Sequence, residues 1–320
     1  MIIMLSVLIM LISLVAIVWG ADTLVNGSVA IARRYRISDF VIGAVIVGIG
    51  TSCPELVVSS YGALQGNVDV AIGNVVGSNI FNVLCILGLT AILWPISGSR
   101  ENLKFDLPVC IGVSILAILL AFNFFNGAPV AINRLDGWVF LVGFALYIYV
   151  SFLRDRKNNP VQPSTDKSET PSERLWLSIA KVVVGLAVLV TGCQFFVDEA
   201  EQVALMLGVD EAFISITLIA CGTSLPELAA SLTAAFKRNT QLALGNVVGS
   251  KIFNILFILG CSSQLAPLSG GGITVVDYAV MIGAVVLLLA LSLKGKITRT
   301  GGAVMLAGFV GYLWYLISLQ

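Results

Sequence analysis

The chain has 320 residues, 58% of them hydrophobic and 11% charged, against roughly 25% charged in a soluble domain. Lys plus Arg and Asp plus Glu each total 18, so no basic excess points to nucleic acid, and the absence of histidine removes the commonest general base and a common transition-metal ligand. The apolar residues fall in blocks of about 20, the length that crosses a hydrocarbon core as a helix, so the chain is read as an integral membrane protein solvated by a lipid bilayer.

Splitting those blocks at polar and Gly/Pro punctuation predicts ten helices. Predicted helix 1 runs from Ile2 to Ala32, with an amphipathic last third. Its beginning, Met1 to Trp19, has no basic residue before it and runs long for a signal-peptide core, so it is read as a retained helix. Predicted helix 2 is Asp39–Leu64, helix 3 Val68–Leu93, helix 4 Phe105–Phe122 and helix 5 Leu135–Leu153. The stretch Arg154–Glu173 is rich in Pro, Ser, Asn and charge, and reads as a flexible linker too short to hold a regulatory domain. Predicted helix 6 is Arg174–Leu205, helix 7 Glu211–Phe236, helix 8 Gln241–Gln264, helix 9 Val275–Leu293 and helix 10 Gly301–Leu319. The chain thus divides into residues 1–153, a linker at 154–173, and residues 174–320. The six cysteines form no CxxC pair and read as small buried thiols rather than disulfides or metal ligands.

Lys and Arg set the orientation. The loops after predicted helices 1, 3, 5, 7 and 9 carry fifteen of them, and the loops on the other side carry Arg134 alone. This split expects a cytoplasmic linker and external termini.

The two halves repeat each other. Gly50-Thr51-Ser52-Cys53-Pro54-Glu55-Leu56 recurs as Gly222-Thr223-Ser224-Leu225-Pro226-Glu227-Leu228, and Gly73 to Leu84 recurs as Gly245 to Leu256 with ten of twelve positions identical. One offset of 172 relates both pairs, so the whole half is duplicated. Each half has an odd number of helices, so the second copy is inverted relative to the first, the plan of many secondary transporters. The expected fold is an all-α membrane protein of ten transmembrane helices in two inverted five-helix repeats, with helices 2 and 7 broken at the GTSxPE motifs.

Glu55 and Glu227 lie well inside apolar helices, where a carboxylate marks a functional site by default. Pro54 and Pro226, with Gly50 and Gly222 nearby, are expected to break the helix, and broken backbone at that depth lines a cavity. The freed carbonyls around Gly48 to Thr51 and Ala220 to Thr223, with the hydroxyls of Thr51, Ser52, Thr223 and Ser224, are hard oxygen ligands. Ser78 and Asn82 are four residues apart, as are Ser250 and Asn254, which puts each pair on one helix face, as ligands or as helix–helix contacts. Oxygen ligands without imidazole or thiolate suit hard cations. Two carboxylates match the charge of Ca²⁺, and the carbonyls and hydroxyls also suit Na⁺. A site that accepts either filling is an antiporter's. No cofactor is expected beyond the transported ions Ca²⁺ and Na⁺, and no protein partner is evident. Lys251, at the midplane one residue past Ser250, reads either as structural or as a tethered cation near Glu227.

With GTSxPE, GNxxGSxxxN and the repeat in hand, the chain resembles the cation/Ca²⁺ exchanger superfamily over essentially its full length, and looks most like prokaryotic sodium/calcium exchangers. The resemblance implies alternating access, with helices 1 and 6 sliding past helices 2, 3, 7 and 8. It implies ion ligands at Gly48, Thr51, Ser52, Glu55, Ser78, Asn82, Ala220, Thr223, Ser224, Glu227, Ser250 and Asn254, with Gly48 and Ala220 acting through backbone carbonyls. The Thr-Ser pair before each glutamate resembles the sodium-coupled branch, and Asn254 in place of an aspartate argues against potassium dependence. Cys53 replaces the family's usual leucine, a packing change. Calcium-sensing domains of the animal exchangers have no counterpart here. The alternative is a Ca²⁺/H⁺ antiporter using the same glutamates. A channel and an intramembrane serine hydrolase at Ser52 or Ser224 are weaker rivals, the latter for want of a histidine, so the chain is not expected to be an enzyme.

Overall fold

The computed structural model describes residues 2–97, 100–122, 131–158, 174–207, 222–269, 273–293 and 295–318. They form helices almost throughout: α1 (Ile2–Tyr35), α2 (Asp39–Thr51), α3 (Cys53–Leu64), α4 (Val68–Leu93), α5 (Arg100–Phe122), α6 (Arg134–Asn158), α7 (Leu175–Met206), α8 (Leu225–Phe236), α9 (Thr240–Leu265), α10 (Val275–Ser292) and α11 (Arg299–Ser318). Among the described residues, eight helices are long and apolar enough to cross a membrane, or nine when the bent pair α2–α3 counts as one span. The first half of predicted helix 7 lies outside the described residues. Two boundaries move by five residues: α5 starts at Arg100 rather than Phe105, and α6 runs on to Asn158, so residues 154–158 of the expected linker are helical; α1 also runs on to Tyr35.

Local signals in the two halves match. The side chains of Asn67 and Asn239 cap α4 and α9 by accepting from the amides of Val70 (3.2 Å) and Leu242 (3.1 Å). Each cap follows a left-handed residue, Gly66 at φ 70° and Arg238 at φ 59°. Glycine meets that conformation without cost, and the arginine bears it. Thr274 and Asp277 form a reciprocal capping box at the start of α10, which supplies the orphan amides of its first turn.

Burial separates inner from outer helices. The apolar windows of α4 and α9 are 83% and 94% buried, against 17% for α1 and 22% for α6, α7 and α11. α4 and α9 are therefore the centre, and the others present apolar faces suited to lipid. α9 lies close against α2, because a Cβ at Gly245 or Gly249 would overlap the backbone of Phe40 or Ala44. α1 and α7 pair through Gly20, Gly27 and Gly185; a Cβ on Gly20 would stand 2.6 Å from the Leu189 nitrogen. That pair buries Leu24, Val25 and Leu189 against Ile42 and Val47 of α2 and Ala230 and Ala234 of α8.

Two short strand pairs tie the loops. β1 (Ile96–Ser97) pairs antiparallel with β4 (Lys296–Ile297), and β2 (Ala131–Ile132) with β3 (Leu268–Ser269). The segments after α4 and α10 thus meet at one end of the bundle, and those after α5 and α9 at the other. Buried aspartate–tyrosine bonds brace neighbouring helices, Tyr147 to Asp106 at 2.9 Å between α6 and α5, and Tyr312 to Asp277 at 2.7 Å between α11 and α10.

Candidate functional site

The glutamates owe their position to a helix break. α2 ends at Thr51, Ser52 adopts φ −84° and ψ 10°, and α3 leaves at 46° with Pro54 in its first turn. Proline lacks an amide proton and crowds the preceding turn, so it serves as the start of a new helix. Ser224, at φ −91° and ψ 6°, stands before α8 in the same way, with Pro226 in the first turn. Glu55 and Glu227 each lie in the first turn of the following helix, where the aligned backbone dipoles favour negative charge. Both are fully buried.

The spacing Ser52 to Glu55 is that of a capping box, yet neither serine caps its own helix. The hydroxyls cross between the halves instead. Ser52 donates to Oε1 of Glu227 at 2.7 Å, and Ser224 donates to Oε1 of Glu55 at 2.9 Å. Ser78 also reaches Oε1 of Glu55, at 3.4 Å, and Ser250 donates to the Gly48 carbonyl at 3.1 Å. Each carboxylate is thus held by the other half of the chain, and neither half builds a site alone.

A second reciprocal set lies behind the first, and sequence reasoning missed it. The amide nitrogen of Asn74 donates to the Glu55 carbonyl (3.1 Å) and to Ser59 Oγ (2.9 Å), while its oxygen accepts from Thr223 Oγ1 (3.3 Å). Asn246 repeats this with the Glu227 carbonyl (3.2 Å), Ser231 Oγ (2.9 Å) and Thr51 Oγ1 (3.2 Å). The signal was present: Asn74 and Asn246 are identical residues at the repeat offset within otherwise apolar helices. Each asparagine fixes the backbone under one glutamate and offers its amide oxygen to the threonine of the other half, an acceptor that for Thr51 stands beside the Val47 carbonyl at 3.0 Å.

Several buried polar atoms among the described residues have no protein partner. They include Oε2 of Glu55, Oε2 of Glu227, and both amide atoms of Asn82 and of Asn254. Leaving such an atom unpaired costs about 1–3 kcal/mol, and more for a charged group. Asn82 and Asn254 stand in π-helical turns, Phe81–Ile86 and Phe253–Ile258, a rare form that occurs frequently at functional sites. In each, an amide bonds five residues back to the carbonyl of that asparagine, Leu87 to Asn82 and Leu259 to Asn254.

The predicted residues therefore fall in two hydrogen-bonded sets, each drawn from both halves: Gly48, Thr51, Ser52, Glu227 and Ser250 joined through Asn246, and Glu55, Ser78, Thr223 and Ser224 joined through Asn74. Asn82 and Asn254 are buried, with their amides outside the bonds of both sets, and Ala220 lies outside the described residues. Lys251 is 1% exposed and its ammonium has no hydrogen-bond partner. Its ionisable neighbour is Cys110 of α5, and it makes no hydrogen bond or ion pair with Glu227. Cys53 is exposed rather than packed.

The family model described as sodium/calcium exchanger protein matches residues 5–153 and 177–318. The chain is 38% identical over 316 residues to the putative antiporter CaxA of Alkalimonas amylolytica, covering 96% of this chain and 97% of that one. It is 34% identical over 344 residues to the sodium/calcium exchanger MaX1 of Methanosarcina acetivorans, covering 98% of each. A solved structure of the sodium-calcium exchanger NCX_Mj, soaked with 10 mM Na⁺ and no Ca²⁺, superposes with a TM-score of 0.84 at 33% identity, covering 99% of this chain and 100% of that one. Full-length family matches and a matching fold, on a chain whose helices suit a membrane, place it in the sodium/calcium exchanger family of transmembrane cation/Ca²⁺ antiporters.

Proposed function

We propose that the chain is a sodium/calcium antiporter, and that Ca²⁺ and Na⁺ compete for one site between Glu55 and Glu227. The observation that carries this reading is the reciprocal serine bonding of two buried carboxylates, each keeping one oxygen without a protein partner. A hard divalent cation takes six to eight oxygens. Glu55 and Glu227 supply its countercharge, and Ser52, Ser78, Asn82, Ser224, Ser250 and Asn254 supply neutral oxygens. The carbonyls of Gly48 and Ala220 and the oxygens of Thr51 and Thr223 complete sites of weaker field for Na⁺. A proton carrier needs only carboxylates. The ring of hydroxyls has a use when the competing ion is Na⁺, and it is this ring that favours sodium over proton coupling.

The repeat and the odd number of predicted helices in each half support an inverted arrangement of ten helices, joined by a cytoplasmic linker and with external termini. Alternating access then follows from movement of α1 and α7. In this structure they cover α8, and among the described residues they give α3 no comparable cover. Carrying them across to α3 would close one side of the site and open the other.

Purified protein in sealed vesicles tests the coupling. An outward Na⁺ gradient at clamped pH and equal K⁺ should drive ⁴⁵Ca²⁺ uptake, and an outward H⁺ gradient without Na⁺ should not. The reverse pattern would establish the Ca²⁺/H⁺ antiporter instead. Uptake that runs down the Ca²⁺ gradient without counter-ion, and without counterflow, would identify a channel.

A further inference from the structure

We propose that Lys237, with Asp22 and Asn26, is a latch that holds α1 against α8 and biases the chain toward the conformation in which α8 is covered. The ammonium is presented from a turn fixed to the core. Lys237 follows α8 and stands two residues before the α9 cap, Asn239. Asn239 Nδ2 donates to Asp39 Oδ2 of α2 at 2.9 Å, and the Arg238 guanidinium between them lies 5.2 Å from the centre of the Trp94 ring at the end of α4. The partners stand on α1. Lys237 Nζ pairs with Asp22 Oδ1 at 2.6 Å, and donates to Asn26 Oδ1 at 2.6 Å and to the Asp22 carbonyl at 3.3 Å. Asn26 Nδ2 in turn donates to Asp22 Oδ2 at 2.9 Å, which fixes the amide with its oxygen toward the lysine. Asp22 and Asn26, one turn apart on one helix face, thus close on a single ammonium. Arg33 and Lys181 line the cavity beside it and offer that ammonium no acceptor.

The repeat gives the comparison. The offset of 172 carries Lys237 to Gln65, Asp22 to Gln194 and Asn26 to Asp198. It holds in space for the α1–α7 pair, because a Cβ on Gly20 would meet Leu189 as one on its mate Gly192 would meet Ile17, the mate of Leu189. Gln65 follows α3 as Lys237 follows α8, and Gln194 and Asp198 lie one turn apart on α7. The movement of α1 and α7 proposed above, on which this inference rests, would bring Gln194 and Asp198 to Gln65 as Asp22 and Asn26 now meet Lys237. Those three side chains form hydrogen bonds but no ion pair. One conformation therefore closes with an ammonium on a carboxylate, and the other with an amide. The Lys237 and Asp22 side chains are 30% and 50% exposed, so water screens the pair. Its bias is then roughly 3- to 10-fold, the scale of an exposed ion pair supported by a small network. A bias of that size favours one conformation without locking it, as exchange requires. The inference does not depend on which ions are exchanged.

Thiol labelling of the purified full chain tests the latch. With the native cysteines replaced by alanine, a thiol introduced by Leu225→Cys reports the conformation in which α8 is uncovered. Lys237→Gln, which installs the residue of its repeat mate, and Asp22→Asn should each raise the labelling rate by roughly 3- to 10-fold. Combining them should add little, because either one removes the same pair. The exchanged pair Asp22→Lys/Lys237→Asp should return the rate toward its starting value, which the loss of a merely structural contact would not do. Gln65→Lys, which sets an ammonium before Asp198 at the other end, should raise the rate as well. Lys296→Gln, which removes a charge from β4, should leave it unchanged. An unchanged rate in Lys237→Gln and Asp22→Asn, or a rise that the exchanged pair fails to reverse in folded protein, would overturn the latch. A rise in Gln65→Lys would still leave the helix movement standing in that case. If the rates at Leu225→Cys, and at Cys53 in a chain keeping that cysteine alone, rose and fell together across the variants, the movement of α1 and α7 would itself be contradicted.

Discussion

α3 and α8 are the same sequence element met twice, and they differ in what covers them. Their starts agree: serines with φ near −84° and −91°, proline in the first turn, a glutamate whose carboxylate accepts from the opposite serine, and an asparagine beneath. Their flanks do not. α8 is packed under α1, with Pro226, Ala230, Ser231, Ala234 and Ala235 buried. α3 leaves Val57, Tyr61 and Leu64 more than 60% exposed and Cys53 uncovered. Similar chemistry inside unequal cover separates the two features: the repeat builds the polar groups symmetrically, and the α1–α7 pair covers only one of the two helices. In the mechanism we propose, that pair decides which side of the site is shut.

The largest effect should come from breaking the symmetric part. Glu55→Gln and Glu227→Gln should each lower Ca²⁺ exchange by about 100-fold or more, since truncating one partner of a buried charged contact costs about 2–5 kcal/mol, while both variants elute as folded protein. Exchange near the wild-type rate in either would remove that glutamate from the site. Asn74→Ala and Asn246→Ala come next. Each removes the amide that holds a backbone carbonyl and a serine, and an acceptor beside a threonine, so the half-saturating Ca²⁺ concentration should rise by roughly 5- to 100-fold, the equivalent of about 1–3 kcal/mol. The two rises should be similar. A large effect from one asparagine alone would break the equivalence of the halves.

The asymmetric part is sharpened by labelling. With the other cysteines replaced by alanine, Cys53 should react with an impermeant maleimide about tenfold or more faster than a cysteine introduced by Leu225→Cys in a Cys53→Ala background, because reaction requires an accessible thiolate. Leu225 is half-buried against the α1–α7 cluster. Equal rates would mean that the cover is not unequal in solution. The smallest effect is expected at Lys251. Its ammonium has no hydrogen-bond partner and makes no ion pair with Glu227, so Lys251→Asn should leave the reversal potential of Ca²⁺ flux unchanged. A shift toward more Na⁺ per Ca²⁺ would restore the tethered cation.

Most of this was legible in the sequence for physical reasons. Apolar blocks of bilayer length mark helices whatever their neighbours do, and α4, α9 and α10 lie within a residue or two of their expected bounds. The glutamates stood out because a carboxylate in an apolar helix is costly, and the serines because they precede a proline break. What could not be read is how the two halves meet. Ser52 is three residues from Glu55 yet bonds Glu227, and nothing along the chain distinguishes the near carboxylate from the far one. Asn74 and Asn246 looked like part of a small-residue packing motif, because their partners are a backbone carbonyl and a serine of the preceding helix and a threonine of the other half. The unequal cover of α3 and α8 is invisible for the same reason: it depends on where α1 and α7 pack, and the motifs in the two halves are alike. Cys53 illustrates this, since a leucine-to-cysteine change reads as packing until the surface opposite it is known to be uncovered.

Equilibrium binding of ⁴⁵Ca²⁺ to the purified chain tests most directly whether both halves build one site that either ion can fill. One Ca²⁺ should bind per chain, Na⁺ should displace it completely and K⁺ should not, and Glu55→Gln and Glu227→Gln should each abolish it. Two Ca²⁺ per chain, with each variant retaining one, would show two independent sites and contradict the account.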